Sequence, residues 1–538
     1  MQRLELGGLR LIVSRLSFLG VLLLMGACAT QLESAIVSTE LGVVRGENRD
    51  GLAIFRGIPY AAAPVGDLRW RAPQPHAPWS DTLDTVEFGA ACIQPALPHR
   101  PLPITSKSED CLTLNIWTES SSDTPRPVMV WIHGGAFFMG ASSLPYYDGE
   151  AFARSGVTFV SINYRLGYFG FFAHPALNED DDENALANFG LADQVAALEW
   201  VQNNIKKFGG DPNNITVFGE SAGGKSITHL LTSKKAKGLF HKAIVESGGG
   251  YDTGKHARRT LGAVQSMADD NLAWAAGRGF ENDAAALRAT PADVILGELQ
   301  RGVKLPGPVI DGNLLTENVA ASLTAGDHIV VPLLIGANSF EASLLKLFRI
   351  TPNAILGQLG GDRDRVNALY EVEARNLSDE LLAYELYGDG GFVAPARFIA
   401  RKMALAGAPA RIYYFDHLSR ARRGKTPGAP HGSEIPYAFK TLDKIPRAQL
   451  IYDQDDYAMS EKLHDAWVAF ANSGDPGSDI LDWPVVNANG VAPFMVFTNE
   501  GVRVDAEFRS DRLDFHDDRF ERREYILKRG AGPANEAN

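Results

Sequence analysis

An α/β fold, with a central, mostly parallel sheet flanked by helices, is what this chain predicts, and three observations carry the prediction. Short apolar, β-rich runs recur at Val128–Ile132, Val157–Ile162, Ile215–Phe218, Ala243–Val245, Val330–Ile335 and Ile412–Phe415. Helix-like stretches such as Leu191–Lys206 and Ser460–Asn472 fall between them, the alternation expected of a doubly wound sheet. Residues 255–300 and 355–408 look helical and poor in strands, as insertions covering one end of such a sheet would be.

Taken in chain order, the first element is not part of the fold. Arg3, Arg10 and Arg15 precede an apolar stretch from Leu16 to Met25 that ends in small residues, the pattern of a secretory signal. It is too short and wrongly flanked for a transmembrane helix. Two processing routes compete. L-M-G-A-C resembles a bacterial lipobox, in which Cys28 becomes the lipidated first residue; A-C-A resembles an ordinary site cut before Thr30. Of three cysteines, Cys92 and Cys111 can pair in an exported protein and Cys28 is left over, which favours lipidation. The expectation is a signal over residues 1–29 and a lipoprotein held to a bacterial membrane, facing the periplasm, by acyl chains alone.

No internal repeat or linker stands out, so residues 30–538 read as one domain carrying the two helical insertions. The net charge of -13 argues against nucleic acid as a partner and offers no basic patch for anionic lipid. The acidic run Glu179–Glu183 lacks the ligand spacing and glycine of a calcium loop and reads as a solvated surface segment. With no H-E-x-x-H or C-x-x-C, neither a metal nor another cofactor is expected.

The segment N-N-I-T-V-F-G-E-S-A-G-G, residues 213–224, carries the chemistry. With 53 glycines in 538 residues, a bare G-x-S-x-G arises by chance about 0.3 times, so its context decides. Here a β-branched run precedes Ser221 and a helix-compatible stretch follows it to Leu231. Strand, sharp turn and helix lift a serine Oγ clear of a sheet. The helix start then aims N–H groups at charge developing on a substrate.

A serine hydroxyl needs a histidine base, itself oriented by a carboxylate. In α/β-hydrolases these follow in the order serine, acid, histidine, on loops after strands. Glu341, in G-A-N-S-F-E-A-S just beyond V-V-P-L-L-I, fits the acid; Asp311, in P-V-I-D-G, is its main rival and reads as a turn-former. His431, in P-H-G-S-E-I-P-Y after I-Y-Y-F, fits the base, whereas His229 and His241 lie too close behind the elbow. Oxyanion donors are expected from Ala222 and from the small residues after the strand in V-M-V-W-I-H-G-G-A-F. Phe137, Phe138 and Tyr437 are candidate pocket walls.

At this point the chain resembles the type-B carboxylesterase/lipase family, which includes cholinesterases and many bacterial esterases. The matching segments are F-R-G-I-P-Y-A, V-G-D-L-R-W, S-E-D-C-L-T-L-N-I-W, W-I-H-G-G-A-F, I-N-Y-R-L-G, L-A-D-Q-V-A-A-L-E-W-V-Q-N-N-I, F-G-G-D-P, F-G-E-S-A-G-G and H-G-S-E-I-P-Y, in family order over about residues 38–500. The resemblance implies the α/β-hydrolase fold and a triad of Ser221, Glu341 and His431. It implies oxyanion donors at Gly135, Ala136 and Ala222, a Cys92–Cys111 disulfide at the pocket rim, and Glu220 and Ser247 beside the triad. The activity implied is serine carboxylesterase chemistry on small to medium, largely uncharged esters through an acyl-enzyme.

Departures from the family pattern are informative. The segment between Cys92 and Cys111 has no aromatic residue, unlike the choline-binding loop of cholinesterases. Ala136 stands where many members have glycine, and Lys225 where the family usually has a small or apolar residue; on a helix Lys225 shares the face of Ser221. A lipase on longer acyl chains and a non-catalytic binding module on the same fold are the alternatives. A serine–lysine hydrolase built on Ser343 and Lys346 is a third, resting on a lone S-x-x-K.

Overall fold

A computed structural model of the protein describes residues 34–96, 102–120, 124–178, 186–250, 255–258, 265–277, 283–300, 306–478, 481–487 and 491–530. The expected signal with Cys28, and the acidic run, lie outside the described residues.

Among the described residues fifteen strands follow in order: β1 Ser34–Ser38, β2 Val43–Arg49, β3 Leu52–Pro59, β4 Leu83–Asp84, β5 Ala91–Cys92, β6 Lys107–Ser108, β7 Thr113–Glu119, β8 Arg126–Ile132, β9 Thr158–Ile162, β10 Gly210–Glu220, β11 Lys242–Glu246, β12 Leu333–Asn338, β13 Ala410–Phe415, β14 Phe494–Thr498 and β15 Gly501–Asp505. β5 and β6 pair with each other, and the rest form one sheet in the order β1-β2-β3-β7-β9-β8-β10-β11-β12-β13-β14-β15, with β4 beside β2. From β9 to β14 every pairing is parallel. The flanking pairings of β1–β2, β2–β3, β3–β7, β7–β9 and β14–β15 are antiparallel.

β14, also parallel, was not singled out in the sequence. Five of the six apolar runs that were singled out fall on strands of the parallel centre, and the sixth, Val330–Ile335, enters β12 only at Leu333. The reason is burial: every residue of β9, β11, β12 and β13 is buried, because helices cover both faces. The antiparallel margins were not foreseen. β1 is exposed at every second residue and β15 has no buried residue, so neither shows an unbroken apolar run.

The two expected helices form over Phe189–Asn204 and Gln454–Ser473. The second starts earlier than its apolar pattern because Asp453 and Asp456 form a reciprocal cap, each carboxylate accepting from the other's amide N–H. Helices Met267–Ala276, Ala284–Ala289 and Ala292–Gln300 fill the first strand-poor region. Arg363–Leu369, Asp379–Gly388 and Ala394–Leu405 dominate the second, with a wide turn at Asp389–Val393 joining the last two. No described helix is long and apolar enough to cross a membrane.

Register places the site. Glu220 at the end of β10 pairs with Glu246 of β11, and Glu246 pairs with Gly336 of β12. Ser221, Ser247 and Glu341 therefore follow the carboxyl ends of neighbouring parallel strands, the edge where open α/β sheets place their ligands.

Candidate active site

β10 ends at Glu220 and a helix starts at Ala222, so Ser221 is the single residue of the turn. It sits at φ 57°, ψ -119°, a conformation L-residues rarely adopt. Its amide donates to the Glu246 carbonyl at 2.8 Å, and its own carbonyl accepts from the Lys225 amide at 2.8 Å. Gly219 and Gly223 are required by close approach: a Cβ on them would fall 2.5 Å and 1.9 Å from the Ile132 carbonyl of β8. The elbow is thus pressed against the strand that leads into the oxyanion loop.

Glu341 is fully buried in a short turn after β12. One carboxylate oxygen accepts from Ser247 Oγ at 2.6 Å and from the Asn338 amide at 2.7 Å; the other meets His431 Nδ1. The His431 loop is tied down twice more. Its amide donates to Ser343 Oγ at 3.0 Å, and Asn338 Nδ2 donates to the Pro430 carbonyl at 3.0 Å. Ser343, a candidate nucleophile of the third reading, is thus engaged beneath His431, and Lys346 is exposed.

The opposite ring nitrogen, Nε2, lies 3.0 Å from Glu220 Oε1, so the imidazole stands between two carboxylates. Burial works against a charged imidazole, but Glu220 and Glu341 outweigh it and hold the His431 pKa well above the ordinary histidine value. Two further carboxylates lie beneath. Glu246 accepts from Trp467 Nε1 at 2.9 Å, and burial raises its pKa to about 8. Glu434 accepts from Asn338 Nδ2, and burial again is the main cause of a pKa well above the carboxylate range.

After β8 the chain runs through His133, Gly134, Gly135 and Ala136. Gly135 has φ +114° and Ala136 φ +52°. A Cβ on Gly135 would lie 2.0 Å from the Met139 carbonyl, so glycine is obligatory there. Among the described residues, the amides of Gly135, Ala136 and Ala222 donate to no carbonyl or side chain. His133 is structural: buried, stacked on Tyr164 at 4.6 Å and bonded through Nδ1 to the Gly134 carbonyl. Burial lowers its pKa to about 4, so it is neutral. The loop is also clamped from outside. Gln94 accepts from the Gly140 amide at 2.9 Å and donates to its carbonyl at 2.7 Å.

Gln94 lies two residues after Cys92, which is disulfide-bonded to Cys111. Asp311 is a turn-former: Oδ1 accepts from the amides of Asn313, Leu314 and Leu315 at 2.9–3.0 Å. His241 Nδ1 accepts from the Ile215 amide at 3.2 Å and His229 is buried in the helix behind the elbow; neither lines a cavity at Ser221.

Two cavities meet at Ser221 and Ala136, which line both. The larger, about 590 Å³, has Phe137, Tyr168, Trp274, Phe348 and Phe392 in its wall; the other, about 450 Å³, holds Gly135, Glu220, His431, Tyr146 and Tyr452. Of the three aromatic residues named from sequence, only Phe137 lines either. Tyr437 is instead buried behind the site, donating to Asp456 Oδ1 at 2.9 Å, and Phe138 packs with Met139 in a small cluster of its own. Trp274 and Phe392 come from the helical insertions, and nothing local in the sequence distinguishes them from core residues. Gln94, Glu246 and the contact of Ser343 with the His431 amide were missed for a similar reason, since each acts through a distant segment.

A strand order that reverses at its centre, with the elbow serine and its histidine at the carboxyl edge, defines an α/β-hydrolase. The lineage within that class comes from comparison. The carboxylesterase family profile matches residues 33–516, and the chain belongs to that family. It is 36% identical to para-nitrobenzyl esterase of Bacillus subtilis (strain 168) over 469 residues, covering 84% of this chain and 92% of that one. It is 33% identical to fumonisin B1 esterase of Sphingopyxis macrogoltabida over 497 residues, 88% of each chain. Cocaine esterase of Homo sapiens shares 34% identity over 482 residues, 82% of this chain and 83% of that one. A solved PNB esterase structure superposes with a TM-score of 0.75 at 33% identity, covering 89% of this chain and 99% of its own. The protein is a hydrolase of carboxylic esters.

Proposed function

We propose that Ser221 is the nucleophile, His431 the base and Glu341 the carboxylate that orients it. The single observation that carries this reading is the convergence of three loops. The elbow serine and the Glu341-bound His431 open onto one cavity, although they lie far apart in the chain. His431 takes the Ser221 proton as Oγ attacks the ester carbonyl, then gives it to the departing alcohol; water enters by the same route to release the acid. The unengaged amides of Gly135, Ala136 and Ala222 receive the oxyanion, each such donor being worth about 3 kcal/mol in the transition state. Glu220 and Ser247 tune and hold the histidine and its acid. The mostly apolar walls and the cavity sizes favour small to medium esters that are largely uncharged. At its N-terminus the chain carries a cleaved signal and a lipid on Cys28, which would anchor the esterase at a bacterial membrane facing the periplasm.

A series of p-nitrophenyl esters, acetyl to palmitoyl, tests the assignment against Ser221→Ala. Turnover should fall by at least about 10⁴-fold in the variant, with the best wild-type substrate in the short to medium range. A variant that retains turnover sinks the nucleophile assignment, and a clear optimum at palmitoyl would make the protein a lipase.

A further inference from the structure

The larger cavity contains a charge that the fold does not use. Lys225 is the fourth residue of the helix Ala222–Leu231, half-buried, and its side chain lines the 590 Å³ cavity together with Ser221. Among the described residues its ammonium has no salt-bridge or hydrogen-bond partner. The other charged groups in that wall, Lys255 and Asp270, form a salt bridge at 2.7 Å, so among the described residues the cavity is left with one positive charge in excess. Helix stability does not account for it, because a cation in the first turn opposes the helix dipole.

The side of the scissile bond on which this charge lies follows from the proton path. The leaving alcohol must receive its proton from His431, so it occupies the cavity that His431 lines. The acyl group is then left with the cavity lined by Ala222 and Lys225.

Resting on the assignment of Ser221 and His431 above, we infer that Lys225 is a specificity-determining residue that pairs with a free carboxylate on the acyl group. Within the small to medium, largely uncharged esters proposed above, the preferred ones therefore carry a single carboxylate on the acyl group: half-esters of dicarboxylic acids with an otherwise apolar body. Water cleaves the ester through the acyl-enzyme and releases the alcohol and a dicarboxylate. The Lys225-bound carboxylate passes through the reaction unchanged.

Three esters test this in the full-length protein. Mono-p-nitrophenyl glutarate carries the carboxylate on the acyl group, p-nitrophenyl pentanoate is its neutral counterpart, and 4-(pentanoyloxy)benzoate carries the charge on the leaving group. The last is needed because Arg422 lines the His431 cavity. In Lys225→Met the glutarate-to-pentanoate ratio of kcat/KM should fall roughly tenfold or more, mainly through KM, and Lys225→Arg should restore most of it. In the wild type, added salt should raise KM for the glutarate ester selectively. An unchanged ratio overturns the inference. So does a loss confined to the benzoate ester, which would place the anion with the alcohol, or a proportional loss on all three esters, which would make Lys225 structural. Equal turnover of the pentanoate by wild type and Ser221→Ala would instead remove the nucleophile assignment, and this inference would fall with it.

Discussion

His431 is held between Glu341 at Nδ1 and Glu220 at Nε2, and in its proposed role as base this sets the pH at which it works. A general base acts only when neutral, so a pKa raised by two carboxylates moves the acid limb of kcat/KM to higher pH. Glu220→Gln removes one of them. The imidazolium loses stabilisation, its pKa falls, and the limb should shift toward lower pH in a profile of kcat/KM from pH 5 to 10. A limb that stays in place would mean that Glu220 does not act on the histidine. Glu246 makes a separate prediction about stability. It keeps its proton in the folded protein up to about pH 8, whereas an unfolded glutamate releases its own near pH 4.3. Between those limits the folded state holds the extra proton, so stability falls as pH rises, and the loss is complete above about pH 8. Glu246→Gln fixes the uncharged form. Its melting temperature should match the wild type near pH 5 and exceed it by roughly 2–4 °C at pH 9; the same gain at both pH values would refute the argument.

At the scale of elements, the oxyanion loop is held from two sides, by the stacked His133 and Tyr164 within and by the Gln94 amide without. Gln94 belongs to the segment tied down by the Cys92–Cys111 disulfide, so a covalent loop and a catalytic loop share one clamp. Gln94→Ala should lower kcat roughly tenfold on a short p-nitrophenyl ester with a smaller change in KM, because the amides it steadies act chiefly in the transition state. An unchanged kcat would show that the inner packing suffices. The same scale explains which motifs were legible. Four of the family-like segments are halves of two ion pairs: Arg69 binds Glu109 at 2.5 and 2.7 Å, and Arg165 binds Asp193 at 2.7 and 2.8 Å. Each partner marks its own segment in the sequence, but the pairing between them is seen only in the fold.

At the scale of the whole molecule, the parallel centre of the sheet could be read from sequence because double-sided burial writes an unbroken apolar run. The outermost strands β1, β2 and β15 could not, because incomplete burial leaves a weaker pattern over five to seven residues. The contact of Glu341 with His431, and the cavity that His431 shares with Ser221, were legible because chain order and loop position constrain them. Tyr437 was misplaced because a tyrosine facing a cavity and one donating to the buried Asp456 look alike in sequence. The cavity walls depend on how Trp274 and Phe392 are carried over the sheet by their insertions, which no local pattern specifies.

The contacts that make the site span long stretches of chain: 94 residues from Ser247 to Glu341 and 90 from Glu341 to His431. Closing such loops costs entropy that no local segment can offset before the parallel strands have found one another. The reactive group is therefore born late. On the proposed assignment, a nascent chain that has not yet added β13 possesses the serine and its elbow sequence but no base, so it is chemically silent. On that assignment, ester turnover is in effect a report that β12 and β13, whose following loops carry Glu341 and His431, have docked, and topology protects an unfinished molecule from its own chemistry.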